Sequence, residues 1–243
     1  MAYQANFKRY EIKYMITQQQ KEILLNAMKP YMTIDKYGRT TIKNIYYDTD
    51  TYLLIRRSIE KPVYKEKLRI RCYGELTNDT PVFVELKKKF KHVVYKRRVS
   101  MPEQEATQWL NRECGCKNPT QISAEIDYFI DYYKNLHPTL LLSYEREAYY
   151  SNDNSDFIVT FDENVLCRQD NLSLKSETYG TPILDNGSIL MEIKCSGGIP
   201  LWMTSVLSKE HIFKIPFSKY GTAYRTIIFT QLQKLNMQKT KEA

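Results

Sequence analysis

The sequence predicts an α+β protein: an eight-stranded antiparallel β-barrel, shaped as a tunnel, with helices packed on its outside. Three observations lead there. About eight segments alternate between apolar and polar residues with period two, enough strands to close a small barrel. The chain carries 20 Tyr residues, an aromatic supply that suits pleated, half-buried surface. The polar positions of the alternating segments concentrate Arg, Lys and Glu, while several helical segments need an apolar surface to cover. A solvated outer face is the commoner origin of one-sided strands. If helices cover the outside of the barrel instead, the charged faces line its interior.

In chain order the expected strands are Tyr10–Ile16, Ile42–Tyr47, Lys67–Tyr73, Pro81–Lys87, Val93–Met101, Leu140–Tyr150, Phe157–Asp162 and Ile189–Lys194. Thr17–Met32 reads as a helix because Thr17-Gln18-Gln19-Gln20 fits a capping box, and Pro30 marks its end. Pro102–Glu113 puts its proline where a first helical turn tolerates it. Gln121–Leu136 stops before His137-Pro138, and Tyr220–Gln238 forms a last helix before a lysine-rich tail. Asn152–Ser155 reads as a turn and Ser173–Asn186 as a polar loop. With no repeat, low-complexity tract or linker, one domain is expected over residues 1–243, with its core at about 7–238.

Composition narrows the class. A 42% hydrophobic content can build a core, so the chain is not disordered. Apolar runs such as Leu140–Leu142 fall far short of the ~20 residues of a membrane span. Met1–Lys8 has no apolar signal region, which makes a cytoplasmic protein the expectation. Five cysteines, an odd number, argue against a disulfide scaffold, and Cys114-Gly115-Cys116 lacks the second ligand pair of a zinc site. They read as reduced thiols. The net charge of +8 points to an anionic partner.

Alternation sets Glu11 and Lys13 on one strand face, opposite Tyr10, Ile12 and Tyr14. It likewise groups Lys67, Arg69 and Arg71; Glu85, Lys87 and Lys89; Lys96 and Arg98; Tyr144 and Arg146; Glu192 and Lys194. Arginine and lysine make charge-assisted bonds to phosphate oxygens, so an interior of this kind would attract a chain of phosphates. The acids among them suit a divalent cation bridging to that anion.

The segments Tyr10-Glu11-Ile12-Lys13-Tyr14, Leu68-Arg69-Ile70-Arg71-Cys72-Tyr73-Gly74, Val84-Glu85-Leu86-Lys87, Tyr144-Glu145-Arg146, Glu192-Ile193-Lys194 and Phe217-Ser218-Lys219-Tyr220 occur in that order. Together they resemble the VTC domain, the polyphosphate polymerase module of the triphosphate tunnel metalloenzyme (CYTH-like) superfamily, from about Phe7 to Tyr224. The resemblance implies a tunnel of eight antiparallel strands. It also implies that Lys13, Arg69, Arg71, Lys87, Lys96 and Arg146 hold phosphates, joined by Tyr144, Ser218 and Lys219, and that Glu192 anchors Mn²⁺ or Mg²⁺. Arg98 and Lys194 are candidates for further phosphate contacts, and Glu11 and Glu85 for further metal ligands. Two departures stand out. Arg9 occupies the place of the first acid in a Glu-x-Glu-x-Lys start, and Ile158 the place of an arginine, for which Arg168 or Arg97 are the nearest substitutes.

The implied function is ATP-dependent polyphosphate synthesis, with Lys13, Arg69, Arg71, Lys87, Arg146 and Glu192 in the catalytic set. ATP and polyphosphate or pyrophosphate would be the bound partners, in a tunnel open at both ends. Any coupling to transport would need a separate membrane partner. A metal-dependent triphosphatase and a non-catalytic polyanion-binding module are the alternatives. Lys87–Lys91 and Lys96–Arg98 could form a nucleic-acid patch, but no helix-turn-helix, RNP or zinc-finger spacing accompanies them. A hydrolase elbow and a P-loop are also missing from the sequence. His92, His137 and His211 read as surface or capping residues, and Trp109 and Trp202 as packing residues.

Overall fold

The computed structural model describes residues 7–91, 93–153 and 156–241. His92 lies outside these residues, as do Asn154 and Ser155 of the expected turn. The strands are β1 Phe7–Ile16, β2 Met32–Ile34, β3 Thr40–Asp48, β4 Tyr64–Tyr73, β5 Val82–Phe90, β6 Val93–Met101, β7 His137–Ser151, β8 Ile158–Arg168, β9 Thr181–Pro182 and β10 Ile189–Cys195. The helices are α1 Gln18–Met28, α2 Leu53–Ile59, α3 Glu103–Leu110, α4 Gln121–Tyr133, α5 Leu201–Lys209, α6 Lys219–Ala223 and α7 Phe229–Lys241. A π-turn, Tyr224–Ile228, joins the last two, so the single helix expected after Tyr220 is interrupted.

All ten strands belong to one antiparallel sheet in the order β2-β7-β3-β4-β5-β6-β1-β10-β8-β9. Eight were expected. The additional β2 and β9 have three and two residues, too short to carry a period-two signal. These end strands are not paired with each other among the described residues, so the sheet as a whole is not the plain eight-stranded barrel. One strand in from each end, β7 and β8 pair with each other from Leu141↔Arg168 to Tyr150↔Ile158, which curls the sheet.

Local chemistry explains most helix boundaries. Thr17 caps α1 by accepting from Gln20 N–H while the Gln20 side chain accepts from Thr17 N–H, as the sequence indicates. The helix ends at Met28 rather than Met32 because Met32 already pairs with Ser151 in the sheet. Thr120 caps α4 in the same reciprocal manner with Ser123, and Lys134 and Asn135 turn the chain left-handed after Tyr133. Pro102 stands just before α3 rather than inside its first turn. The sequence reading missed α2 and α5. Tyr52, at the start of α2, is left-handed at φ 55° without a side-chain cap, so no capping signature marks it.

The outer face of the sheet is apolar and helix-covered. Leu68, Ile70, Val84 and Leu86 pack under Trp109, Leu110, Ile126 and Phe129 of α3 and α4. Tyr14, Ile16, Met191 and Ile193 pack under Leu24, Met28, Met203 and Leu207 of α1 and α5. Each such burial contributes on the order of 1.5–3 kcal/mol. Lys21 of α1 is buried there against Glu147 (2.9 Å) and Glu163 (2.6 Å), tying the helix to β7 and β8. Trp202 stacks on Tyr31 with ring centroids 4.5 Å apart.

The inner face carries the charges, but not along every strand. Ile42, Tyr46, Leu142, Tyr144, Val165 and Cys167 form an apolar wedge with Ile55 of α2 and Tyr220, Tyr224 and Ile228 of the C-terminal helical segment. The wedge depends on a register shift between β7 and β8 at Ser143/Glu145, opposite which Asn164 takes φ 49°. Asparagine tolerates that left-handed conformation. The bulge lets Asp162 and Val165, three residues apart, serve the same face. All five cysteines are free thiols.

Candidate functional site

Two buried carboxylate centres and a lysine-rich margin make up the inner face. The first centre is Glu85 on β5, fully buried. Its Oε2 accepts from Arg69 Nε and Nη2 at 2.9 and 2.7 Å, a fork across the in-register pair Arg69↔Glu85. Lys96 Nζ lies 2.8 Å from Oε1, and Arg98 and Arg71 stand at 3.9 Å. Neighbouring strands aim the arginines. Arg71 donates to Asn44 Oδ1 (2.7 Å) and to the Tyr144 hydroxyl (3.0 Å), and Arg69 to the Tyr46 hydroxyl (3.0 Å). Burial alone would raise the Glu85 pKa, but Lys96, Arg69 and Arg71 overcome it and hold the carboxyl well below its ordinary range. Burial lowers the Lys96 pKa. At Tyr73 the raising effect of burial is outweighed, chiefly by Arg71, which brings the phenol down to about 8.

The second centre combines Asp162 on β8 with Glu192 on β10. Arg146 forks onto Asp162 through Nε and Nη2 at 2.5 and 2.6 Å, and Lys219, the first residue of α6, donates to the same carboxylate. Glu192 is approached by Lys219 at 3.2 Å, Arg146 at 3.5 Å, and Lys13 and Lys194 at 3.7 Å. Both acids sit at depressed pKa: burial pushes each up, and the cations around them more than offset it. The Glu192 contacts are looser than the ~2.7–2.9 Å of strong charge-assisted bonds.

At the margin, Glu11 and Lys87 pair at 2.6 Å. Lys67 donates to Ser218 Oγ at 2.9 Å, and Lys13 to the Phe217 carbonyl at 3.0 Å, which fastens the turn before α6 to the inner face. Lys67 sits in register with Lys87, and Lys65 with Lys89. Burial, and then Lys13 and Lys65 nearby, push the Lys67 pKa well below that of an ordinary lysine.

The sequence-derived set is therefore divided rather than gathered at one point. Arg69, Arg71, Lys96 and Arg98 surround Glu85, whereas Lys13, Arg146, Lys194 and Lys219 surround Glu192. Tyr144 lies between them, donating none of its own charge but holding Arg71, with Arg146 5.2 Å from its ring centre. Glu11, Glu85 and Glu192 do not converge on one point, and no group of three or more metal-binding side chains is found among the described residues. Glu85 has both oxygens engaged, by Arg69 and Lys96. Glu192 has the loosest partners and is the acid most open to a further ligand. Four cations already stand within 3.7 Å of it, so a divalent ion there would need phosphate oxygens to complete its shell.

The proposed substitutes for the arginine missing at 158 face elsewhere. Arg168 donates to the carbonyls of Asn171, Glu177 and Tyr179 and braces that loop, and Arg97 bonds Glu125 of α4 on the outer side. Ile158 pairs in register with Lys194. The lysine runs are divided between the two faces: Lys88 and Arg97 both turn outward to Glu125, while Lys87 and Lys96 turn inward. Sequence reasoning missed Asp162, Asn44 and Tyr46. Asp162 carried a signal, since it shares parity with Ile158 and Thr160, whereas Asn44 and Tyr46 share theirs with Ile42 and carried none.

A protein-family model, the VTC domain, matches residues 8–228. No curated protein is significantly similar to the chain. Among solved structures, the fold is similar to that of a Bacillus halodurans protein described as a "putative adenylate cyclase", at 16% identity over 92% of this chain and 100% of that one, with a TM-score of 0.58. A Vibrio parahaemolyticus protein of the same description aligns at 10% identity over 89% of this chain and 98% of that one, TM-score 0.45. A Pyrococcus horikoshii protein aligns at 14% identity over 93% and 98%, TM-score 0.45.

Proposed function

The chain belongs to the VTC domain family, and from that premise we propose that it is an ATP-dependent polyphosphate polymerase working along its basic inner face. The observation that carries this reading is the excess of cations, one buried and three half-buried, on one inner face. Arg69, Arg71, Lys96 and Arg98 share the single carboxylate of Glu85. Such an excess is costly without an anion, and a phosphate chain supplies one.

Transfer of the γ-phosphoryl group of ATP to a polyphosphate end needs alignment and charge neutralisation rather than a covalent side-chain nucleophile. In this reading Arg69, Arg71, Lys96 and Arg98 hold one run of phosphates, and Lys13, Arg146, Lys194 and Lys219 the other, with Tyr144 between them and Lys87 and Ser218 at the margin. Asn44, Tyr46 and Tyr144 fix the arginine planes beforehand, which lowers the cost of ordering them when the anion arrives. The acceptor oxygen is already ionised at neutral pH, so no general base is required. Glu192 would hold Mn²⁺ or Mg²⁺, which supplies further neutralisation of phosphate charge when bound. Glu11 is engaged by Lys87 and so is poorly placed to orient water, which weighs against the triphosphatase.

Ile158 favours a second reading, a polyanion-binding module without turnover, because no arginine replaces it on the inner face among the described residues. Incubation with ATP, Mn²⁺ and pyrophosphate, followed by gel analysis, separates the readings. Chains longer than the primer, formed with ADP, support the polymerase. Orthophosphate released in step with ADP supports the triphosphatase, and retained polyphosphate binding without ATP loss supports the binding module. No helix among the described residues is long and apolar enough to cross a membrane.

A further inference from the structure

One buried carboxylate lies outside the two centres. Asp48, the last residue of β3, has no solvent exposure and forms no ion pair among the described residues. Neutral donors satisfy it instead. The backbone N–H groups of Thr49 and Leu54 reach Oδ1, both at 2.9 Å, and the Ile55 N–H and the Tyr220 hydroxyl reach Oδ2, both at 3.0 Å. A buried carboxylate without a cation is costly unless hydrogen bonds cover it. Three of these donors belong to the start of α2, and the fourth comes from the C-terminal helical segment. Burial, and then Asp48 itself, raise the Tyr220 pKa well above that of an ordinary phenol, so its hydroxyl keeps the proton and donates.

Tyr220 is fixed at three points. Besides its bond to Asp48, the hydroxyl lies 3.1 Å from Thr139 Oγ1 on β7, and the ring stacks on Tyr46 with centroids 4.7 Å apart. The residue is 2% exposed, in the apolar wedge, where packing alone would be met by phenylalanine. Its neighbour in the chain is Lys219, which donates to Asp162 and Glu192. The two open α6, a helix of five residues, too short to hold an orientation by its own hydrogen bonds. Successive helical residues project about 100° apart. An anchored Tyr220 hydroxyl therefore sets the rotation of this turn, and with it where Lys219 points.

We propose that Tyr220, held through its hydroxyl by Asp48, is a positioning residue that sets the direction of Lys219 and thereby the geometry of the cation group around Glu192. This role rests on the phosphate reading of the inner face. It adds two residues, Asp48 and Tyr220, that act on the bound anion without touching it. Alignment of a phosphate chain depends on such support as well as on the cations themselves.

The test is calorimetric binding of tripolyphosphate to the full chain, without ATP or metal, in a cycle of Tyr220→Phe, Lys219→Gln and the double variant. Tyr220→Phe keeps the stacked ring and removes only the hydroxyl. It should weaken tripolyphosphate binding on the order of 5-fold. That loss should shrink to less than about 2-fold when Lys219→Gln is already present, since the hydroxyl then has no lysine to direct. Thr139→Val removes the neighbouring hydroxyl and leaves Asp48 in place, and the same pattern is expected from it if Tyr220→Phe melts early. Equal losses in the two backgrounds would overturn the proposal, as would a lower Tm with unchanged affinity, the mark of a packing residue. A parent chain that takes up no tripolyphosphate would remove the phosphate reading and this role together. Absence of ATP-driven chain synthesis would bear on the polymerase reading alone, because this binding experiment involves no turnover.

Discussion

Arg146 and Asp162 stand directly opposite each other on β7 and β8, and their side chains close a two-bond fork at 2.5 and 2.6 Å. Asp162 has no solvent exposure, and the pair lies on the seam where the sheet curls back on itself. The same carboxylate receives Lys219, so one acid joins two sheet strands to the C-terminal helical segment. In the proposed function the two cations it holds also meet phosphate. Stability and ligand binding should therefore move in opposite directions when it is changed.

Asp162→Asn should destabilise the protein by roughly 3–5 kcal/mol, because Arg146 and Lys219 lose a buried partner. Tripolyphosphate should restore part of that loss. The rise in Tm on adding it should be larger in the variant than in the parent. Thermal melts with and without tripolyphosphate measure both effects, and an equal or smaller rise would show that the two cations do not meet phosphate.

Arg69→Ala is expected to weaken triphosphate binding, and the structure adds a stability cost that the sequence did not suggest. Two arginines grouped on one strand face repel each other, and relief of that repulsion alone would leave stability nearly unchanged. Instead Arg69 forks onto the fully buried Glu85, with Lys96 and Arg71 as remaining partners. Loss of the fork should cost on the order of 2 kcal/mol, a value appropriate to hydrogen bonds on a charged group. Chemical denaturation with and without tripolyphosphate checks the pair of effects.

Lys67→Met should do the reverse and stabilise the empty protein. Lys67 is held neutral-leaning by burial and by Lys13 and Lys65. Between its depressed folded pKa and the ordinary 10.5, the unfolded chain binds a proton that the folded chain does not. Stability contributed by this group accordingly rises with pH across that window. The variant should show a higher Tm at neutral pH and a flatter stability profile toward alkaline pH, together with weaker polyphosphate binding. An unchanged Tm and profile would mean that the lysine is fully solvated.

Acid should loosen the inner face in the opposite sense. Glu85 and Glu192 ionise well below 4.5 in the folded protein, because the cations around them outweigh burial. Their contribution is fully present above about pH 4.5 and is lost as pH falls from there through the folded values. Glu192→Gln should remove part of that acid sensitivity and abolish metal-dependent turnover, while leaving polyphosphate binding largely intact. Turnover that survives the substitution would end the metal role of Glu192.

The sequence by itself determined which side of each main strand is charged. Period-two alternation at Lys67-Leu68-Arg69-Ile70-Arg71 fixes facing whatever the neighbouring strands do, because successive side chains point to opposite faces. It also located α1, since the Thr17–Gln20 box acts within one turn. Tertiary structure alone decided which charges meet. That Glu85 gathers Arg69, Lys96 and Arg98 follows from the register of the consecutive strands β4, β5 and β6, whereas Glu192 gathers Lys13, Arg146 and Lys219 from segments distant in sequence. The inner role of Val165 beside Asp162 depends on the bulge at Asn164, and no local pattern encodes it. Lys67 and Lys87 alternate like any paired lysines in the sequence, yet one finds Glu11 and the other a serine hydroxyl. Facing is a property of one strand, but partnership is a property of the closed network, and charge balance at the site belongs to the second.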